Sequence, residues 1–138
     1  MKSCLFGGTF DPPHLGHLII AQTIFEAENF DRIVFIPAFL PPHKNGQDIS
    51  SVDHRMEMLK IAIRENPNFV LSDIEIKRKG LSYSIDTITD YKAQNNIKTD
   101  DLYYLIGSDT LKQFHKWKDP KSILEEARVI VAIRPGFR

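Results

Sequence analysis

The stretch Gly7-Gly8-Thr9-Phe10-Asp11-Pro12-Pro13-His14-Leu15-Gly16-His17 collects the residue types that handle phosphate. Its glycines let backbone N–H groups approach a ligand closely, and a helix beginning near Pro13 would aim the positive end of its dipole at the same place. His14 and His17, three residues apart, fall on one face of the first helical turn, where both imidazoles could donate to a single anion. The bland alternative is a tight turn followed by two solvent-exposed histidines. A metal site drawing on His14, His17 and His43 is a weaker alternative, because a closed zinc site takes four ligands and the chain has one cysteine.

Other residues could serve the same anion. Lys44 follows two stiffening prolines, and its ammonium could act as a point charge on a phosphate oxygen or be an ordinary loop lysine. Asp109 could bind a ribose hydroxyl, help hold a magnesium ion, or cap the helix after it. Trp117, the only tryptophan, could stack on a flat heteroaromatic ligand or pack into the core. Ser82-Tyr83-Ser84-Ile85-Asp86-Thr87 places hydroxyls at a helix start, a pattern that in isolation only predicts capping.

The elements that must position these groups alternate. Short β-type runs at Ser3–Phe6, Arg32–Ile36, Phe69–Ile76, Leu102–Ile106 and Arg128–Ile133 are separated by segments with helical spacing. The helices are expected from His14 to about Glu28, Val52 to Glu65 and Ser84 to Asn95, with shorter ones at Thr110–Phe114 and Lys121–Glu126. Met56, Leu59 and Ile63 mark the buried stripe of the second helix, with Ser51 or Asp53 as its cap; Ile85, Ile88 and Tyr91 mark that of the third. Phe69–Ile76 is half polar and reads as an edge strand or one that bends midway. Pro37 to Ser51 reads as a loop. The alternation implies an α/β fold with a doubly wound, mostly parallel sheet, in which ligands bind beyond the carboxyl ends of the strands. Gly7 to His17, the Pro41–Lys44 loop, Gly107-Ser108-Asp109 and Arg134-Pro135-Gly136 all fall at such ends, so residues far apart in sequence would share one cleft.

Composition sets the bounds. The 138 residues fit one domain with a substantial core. Lys plus Arg and Asp plus Glu each total 18, so no net field marks a general nucleic-acid or membrane-surface binder, and any anion site must be local. One cysteine excludes an internal disulfide, and Cys4, in an apolar run, reads as a small buried hydrophobe suited to a reducing cytoplasm. No apolar stretch near the start is long enough to span a membrane, and no targeting segment is visible.

Taken together the motifs resemble those of bacterial nicotinate-nucleotide adenylyltransferases, within the nucleotidyltransferase superfamily that carries an HxGH signature. The resemblance runs almost end to end: Gly7-Gly8-Thr9-Phe10-Asp11-Pro12 with His14-x-Gly16-His17, Pro41-Pro42-His43-Lys44, Arg55-Met56, Ser82-Tyr83-Ser84 with Asp86-Thr87, Gly107-Ser108-Asp109, Phe114-x-x-Trp117 and Arg134-Pro135-Gly136. The sister phosphopantetheine adenylyltransferases usually show threonine at the position of His14. The resemblance implies a Rossmann-like nucleotidyltransferase fold and transfer of AMP from ATP to nicotinate mononucleotide with magnesium, yielding deamido-NAD and pyrophosphate. It implies that Gly8, Thr9 and Phe10 contact the phosphates, that Gly7 and Gly107 also bind substrate, that His14, His17 and Lys44 are catalytic, and that Asp109 lies near ribose or metal. It places Tyr83, Thr87 and Trp117 around the nicotinate moiety and Arg134 by the dinucleotide. The alternatives are a chain that binds nucleotide without turnover and an enzyme preferring nicotinamide mononucleotide.

Two departures from the family pattern stand out. The family often carries asparagine near the positions of Ala38 and Phe39. Its members also continue for several tens of residues through an ISSTxIR motif, whereas this chain stops at Arg138, so C-terminal truncation is expected. The apolar strand Arg128–Ile133 would then be exposed and favour association between copies of the chain.

Overall fold

The structure, a computed structural model, describes residues 1–39 and 49–133. Its elements alternate as β1 (Ser3–Gly8), α1 (Leu15–Ala27), β2 (Arg32–Pro37), α2 (Val52–Ile63), β3 (Phe69–Leu71), α3 (Ile74–Arg78), α4 (Ser84–Asn95), β4 (Leu102–Gly107), α5 (Ser108–Leu111), α6 (Pro120–Glu126) and β5 (Arg128–Ala132). Single 3₁₀ turns at Thr99–Asp101 and Phe114–Lys116 complete the connections. The strands form one sheet in the order β3-β2-β1-β4-β5, every neighbouring pair parallel, as the doubly wound reading requires.

Alternate residues of each central strand serve opposite faces, because side chains in a strand point to alternate sides. Cys4, Ile33, Phe35 and Leu105 face one core with Ala21 and Ile24 of α1 and Leu59 and Ile63 of α2. Leu5, Val34, Ile36, Tyr104 and Ile106 face the other, with Ile85, Ile88 and Tyr91 of α4 and Ile123 of α6. Both faces are therefore covered, which explains why β2 and β4 read as nearly continuous apolar runs. Cys4 is fully buried, and burial pushes its thiol well above the ordinary range, so it packs as a small hydrophobe. No helix among the described residues is long and apolar enough to cross a membrane.

Three local expectations are corrected. Phe69–Ile76 does not remain a strand: β3 is an edge strand of three residues, and the chain turns into α3 at Ile74. Ser72 causes the break. Its N–H donates to Phe35 O (2.9 Å) while its Oγ accepts from Ile74 N–H (3.3 Å), diverting the backbone from the ladder into a helical turn. In α2 the buried stripe is Arg55, Leu59 and Ile63, with Met56 only half-buried, and Ser51 supplies the cap by accepting from His54 N–H (3.2 Å). The helix expected at Thr110–Phe114 starts earlier, at Ser108, directly from the end of β4. The ends of α4 match the sequence reading, and Asn96, in the left-handed region (φ 52°), terminates it.

Candidate functional site

In this strand order the direction of winding changes between β1 and β4, and a cleft of about 370 Å³ opens there at the carboxyl ends of the strands. Gly7, Gly8 and Thr9 line it at the end of β1, Tyr104 of β4 stands beside Gly7, and Ser84 and Trp117 adjoin Tyr104. Gly7 is required by its neighbour: a methyl group at this position would stand 2.9 Å from Tyr104 Oη. The Tyr104 hydroxyl shares a 2.9 Å hydrogen bond with Ser84 Oγ, and burial pushes its phenol pKa well up, so it stays protonated. Trp117 stands edge-on to the Tyr104 ring at 6.3 Å and 88°, so its core packing and its place in the cleft coincide.

The histidines sit at the head of α1. His14 is the extended N-cap residue, and its N–H donates to His17 Nδ1 (3.0 Å), while His17 N–H returns to His14 O (3.0 Å). Accepting that bond requires a lone pair on Nδ1, which puts the neutral ring's proton on Nε2. The two rings stack at 3.7 Å with planes 22° apart. This stacking explains the glycine between them: a methyl group at Gly16 would lie 2.9 Å from His14 Cε1 and Nδ1. The first turn of α1 carries no acidic residue, so its own side chains leave the positive dipole end unneutralised. Phe10, buried and at φ 52°, sets its ring edge-on to His17 at 5.0 Å, and Phe6 adds a second edge contact at 5.9 Å.

Arg55 lies beneath this turn with 2% of its surface exposed. Its Nη1 donates to Thr9 O (3.1 Å) and Ala38 O (2.6 Å), and its Nε donates to Ser50 O (3.0 Å). Burial lowers its pKa, and the Asp11 charge opposes the shift.

A polar chain enters the cleft lining at Glu75 and Ser82 and continues into the interior. Glu75 accepts from Thr87 Oγ1 (2.5 Å) and from Ser82, while Arg78 Nη2 donates to Thr87 Oγ1 (2.9 Å) and Phe39 N–H donates to Ser82 Oγ (2.9 Å). Burial raises the Glu75 pKa, and the Thr87 and Ser82 hydroxyls and the Arg78 charge hold it down in part.

The predicted residues therefore separate. Gly7, Gly8, Thr9, Gly107 and Trp117 line the cleft, and His14 and His17 meet at the head of the adjoining helix. Thr87 is a correction: its side chain is fully buried and its hydroxyl is bound to Glu75 and Arg78, so it does not line the cleft. Tyr83 is the residue before α4, with Lys118 Nζ 4.7 Å over its ring, and is not in the cleft lining. Phe10 faces inward as a buttress of His17. Asp109 is the second residue of α5. Lys44 and Arg134 lie outside the described residues. Sequence reasoning missed Ser84, Tyr104 and Glu75 as cleft residues, and it quoted Arg55 only as part of a motif. The one available signal was a charged residue at i, i+4, i+8 with Leu59 and Ile63. No group of three or more His, Cys, Asp or Glu placed to hold a metal occurs among the described residues.

A parallel sheet with its cleft at the switch point and a histidine-headed helix beside it is the architecture of a nucleotidyltransferase. A family model for cytidylyltransferase-like proteins matches residues 5–138, and the chain belongs to that family. It is 41% identical over 136 residues to the nicotinate-nucleotide adenylyltransferase of Bacillus subtilis, across 99% of this chain and 71% of that one. It is 44% identical over 137 residues to a Clostridium tetani protein described as "Probable nicotinate-nucleotide adenylyltransferase", across 99% and 67%. Within the cytidylyltransferase-like proteins, the chain is thus a member of the nicotinate-nucleotide adenylyltransferase family. Among solved structures, the Plasmodium falciparum nicotinic acid mononucleotide adenylyltransferase complexed with NaAD matches with a TM-score of 0.74 over 100% of this chain and 78% of that one. At 18% identity that likeness is one of fold.

Proposed function

We propose that this chain transfers the adenylyl group of ATP to the phosphate of nicotinate mononucleotide, releasing pyrophosphate and giving deamido-NAD for NAD synthesis in the cytoplasm. The observation that carries the reading is the stacked His14–His17 pair at the head of α1, beside the cleft between β1 and β4. The names of the relatives at 41% and 44% identity support the choice of substrates.

The chemistry suits these residues. A phosphate oxygen of the mononucleotide attacks the α-phosphorus of ATP, forming the new P–O–P linkage as the bond to pyrophosphate breaks. A phosphate monoester, with its second pKa near 6, is largely ionised at neutral pH, so no protein base is needed to make the nucleophile. The protein aligns the two phosphates and stabilises the charge that gathers on the transferred group and on pyrophosphate. In this reading the backbone of Gly8, Thr9 and Phe10 and the Thr9 hydroxyl receive the triphosphate. His14 and the Nε2–H of His17 donate to the charge that develops, and Lys44 adds a further positive charge. Asp109 would lie by the ribose or the magnesium ion, which when bound with ATP would offset charge on the triphosphate, and Gly107 binds substrate at the end of β4. Trp117 takes the pyridine ring, with Tyr83 beside it, and Arg134 lies by the dinucleotide. Thr87 acts on that end only through Glu75.

The test is pyrophosphate release from ATP and magnesium with nicotinate mononucleotide, run against nicotinamide mononucleotide as the competing acceptor. Release with the acid form is expected. Release only with the amide, or with neither, overturns the substrate assignment.

A further inference from the structure

We propose that Arg55 is a positioning residue for the phosphate end of the site, acting through Thr9 and Phe10 on His17. The inference rests on the reading of that end as the place where ATP binds. Phe10 is a non-glycine residue in the left-handed region, a strained conformation that persists only where the surroundings over-determine it. Here the residues on both sides of Phe10 are held. Thr9 O accepts from Arg55 Nη1 (3.1 Å), and Asp11 Oδ2 accepts from Ser50 N–H (2.8 Å). Ser50 is itself fixed from the other side, its O accepting from Arg55 Nε (3.0 Å). One guanidinium therefore secures both brackets of the turn, and through Ala38 O (2.6 Å) it ties them to the exit of β2. What the turn delivers is the Phe10 ring, 5.0 Å from His17 and at 75° to it.

A buried arginine that merely held loops together would stabilise the fold without favouring one substrate over the other. Two of the three carbonyls that Arg55 holds, Thr9 O and Ser50 O, bracket Phe10, and the third, Ala38 O, belongs to the peptide whose N–H, on Phe39, donates to Ser82 Oγ (2.9 Å), whereas Ser84 and Tyr104 bond each other and not Arg55. Lysine cannot replace this arrangement, since one ammonium lacks the planar fork that spans three carbonyls.

Arg55→Lys is compared with wild type at a temperature where circular dichroism shows both folded. Expected are a kcat lower by about 30-fold, ATP–magnesium affinity weaker by about 10-fold in calorimetry, and an acceptor KM within about twofold of wild type. Phe10→Leu keeps apolar bulk beneath His17 but removes the ring. It should lower kcat by about 10-fold, and the double variant should fall well short of the product of the two losses. Wild-type ATP affinity and kcat in Arg55→Lys with only a lowered melting temperature would overturn the proposal, as would multiplicative losses in the double variant. If Arg55→Lys does not fold, an unchanged kcat in Phe10→Leu overturns it alone. Failure of the functional reading has a different signature, a wild-type chain that releases no pyrophosphate with nicotinate mononucleotide, and the ATP calorimetry still decides the role of Arg55.

Discussion

At the head of α1 the groups that would meet a ligand are backbone N–H groups and two imidazoles on a turn of exposed and half-buried residues, shaped by the left-handed Phe10. In the cleft between β1 and β4 they are the hydroxyls of Ser84 and Tyr104 and the Trp117 ring, with Ser82 and Glu75 in the same lining and hydrogen-bonded on to Thr87 and Arg78. The first wall is suited to charge that appears only during reaction, because it joins the positive end of the α1 dipole, which no acidic side chain of the first turn offsets, to the imidazoles of His14 and His17. The second is suited to choosing among ligands, because buried polar groups left unmatched by a wrong ligand are costly. Substitutions in the first wall should therefore act on kcat, and those in the second on the KM of the acceptor.

The largest effect tests this division most directly. His17→Ala should lower kcat by about 100-fold or more with little change in acceptor KM, measured by steady-state pyrophosphate release. A rise confined to KM would move His17 to the binding side. Gly16→Ala should cost about 10-fold in kcat, since the added methyl group displaces the His14 ring from its stack on His17 while leaving the far wall untouched. An acceptor KM that moves in step with kcat would break the distinction between the walls.

Tyr104→Phe probes the opposite wall. It removes one partner of the Ser84 hydroxyl and should raise acceptor KM by about fivefold at nearly constant kcat. A fall in kcat alone would count against the proposed division of labour.

The smallest effect is one of stability. Glu75 has its pKa raised in the folded state, so the folded chain holds a proton that the unfolded chain releases. The stability this proton contributes is fully present below the ordinary carboxylate value of 4.5 and is lost as pH rises through the raised folded value. Glu75→Gln cannot lose that proton, so its melting temperature should fall less than that of wild type across this window. Parallel melting curves would show that Glu75 is not the group responsible.

The strands, the α4 boundaries and the placing of Gly7 to His17 and Gly107-Ser108-Asp109 at the ends of β1 and β4 were legible in the sequence, because periodicity and turn chemistry are local signals. Ser72 was the local exception: alternating polarity over Phe69–Ile76 fits a strand until its hydroxyl captures Ile74 N–H. Thr87 and Arg55 failed for another reason. Their roles depend on contacts across 12, 17 and 46 positions, and no local pattern shows that a threonine near a helix start is buried against Glu75, or that an arginine in an apolar stripe reaches Thr9. Glycines told of their need for space but not of what filled it. Only the fold reveals Tyr104 Oη over Gly7 and the His14 ring over Gly16.

That last contact also constrains how the sequence can change over generations. While the ring at position 14 keeps its stack on His17, even the smallest side chain at position 16 collides with it, so the stack couples the two sites. A lineage in which position 16 grew while His14 remained would pass through a form with its histidine pair pried apart.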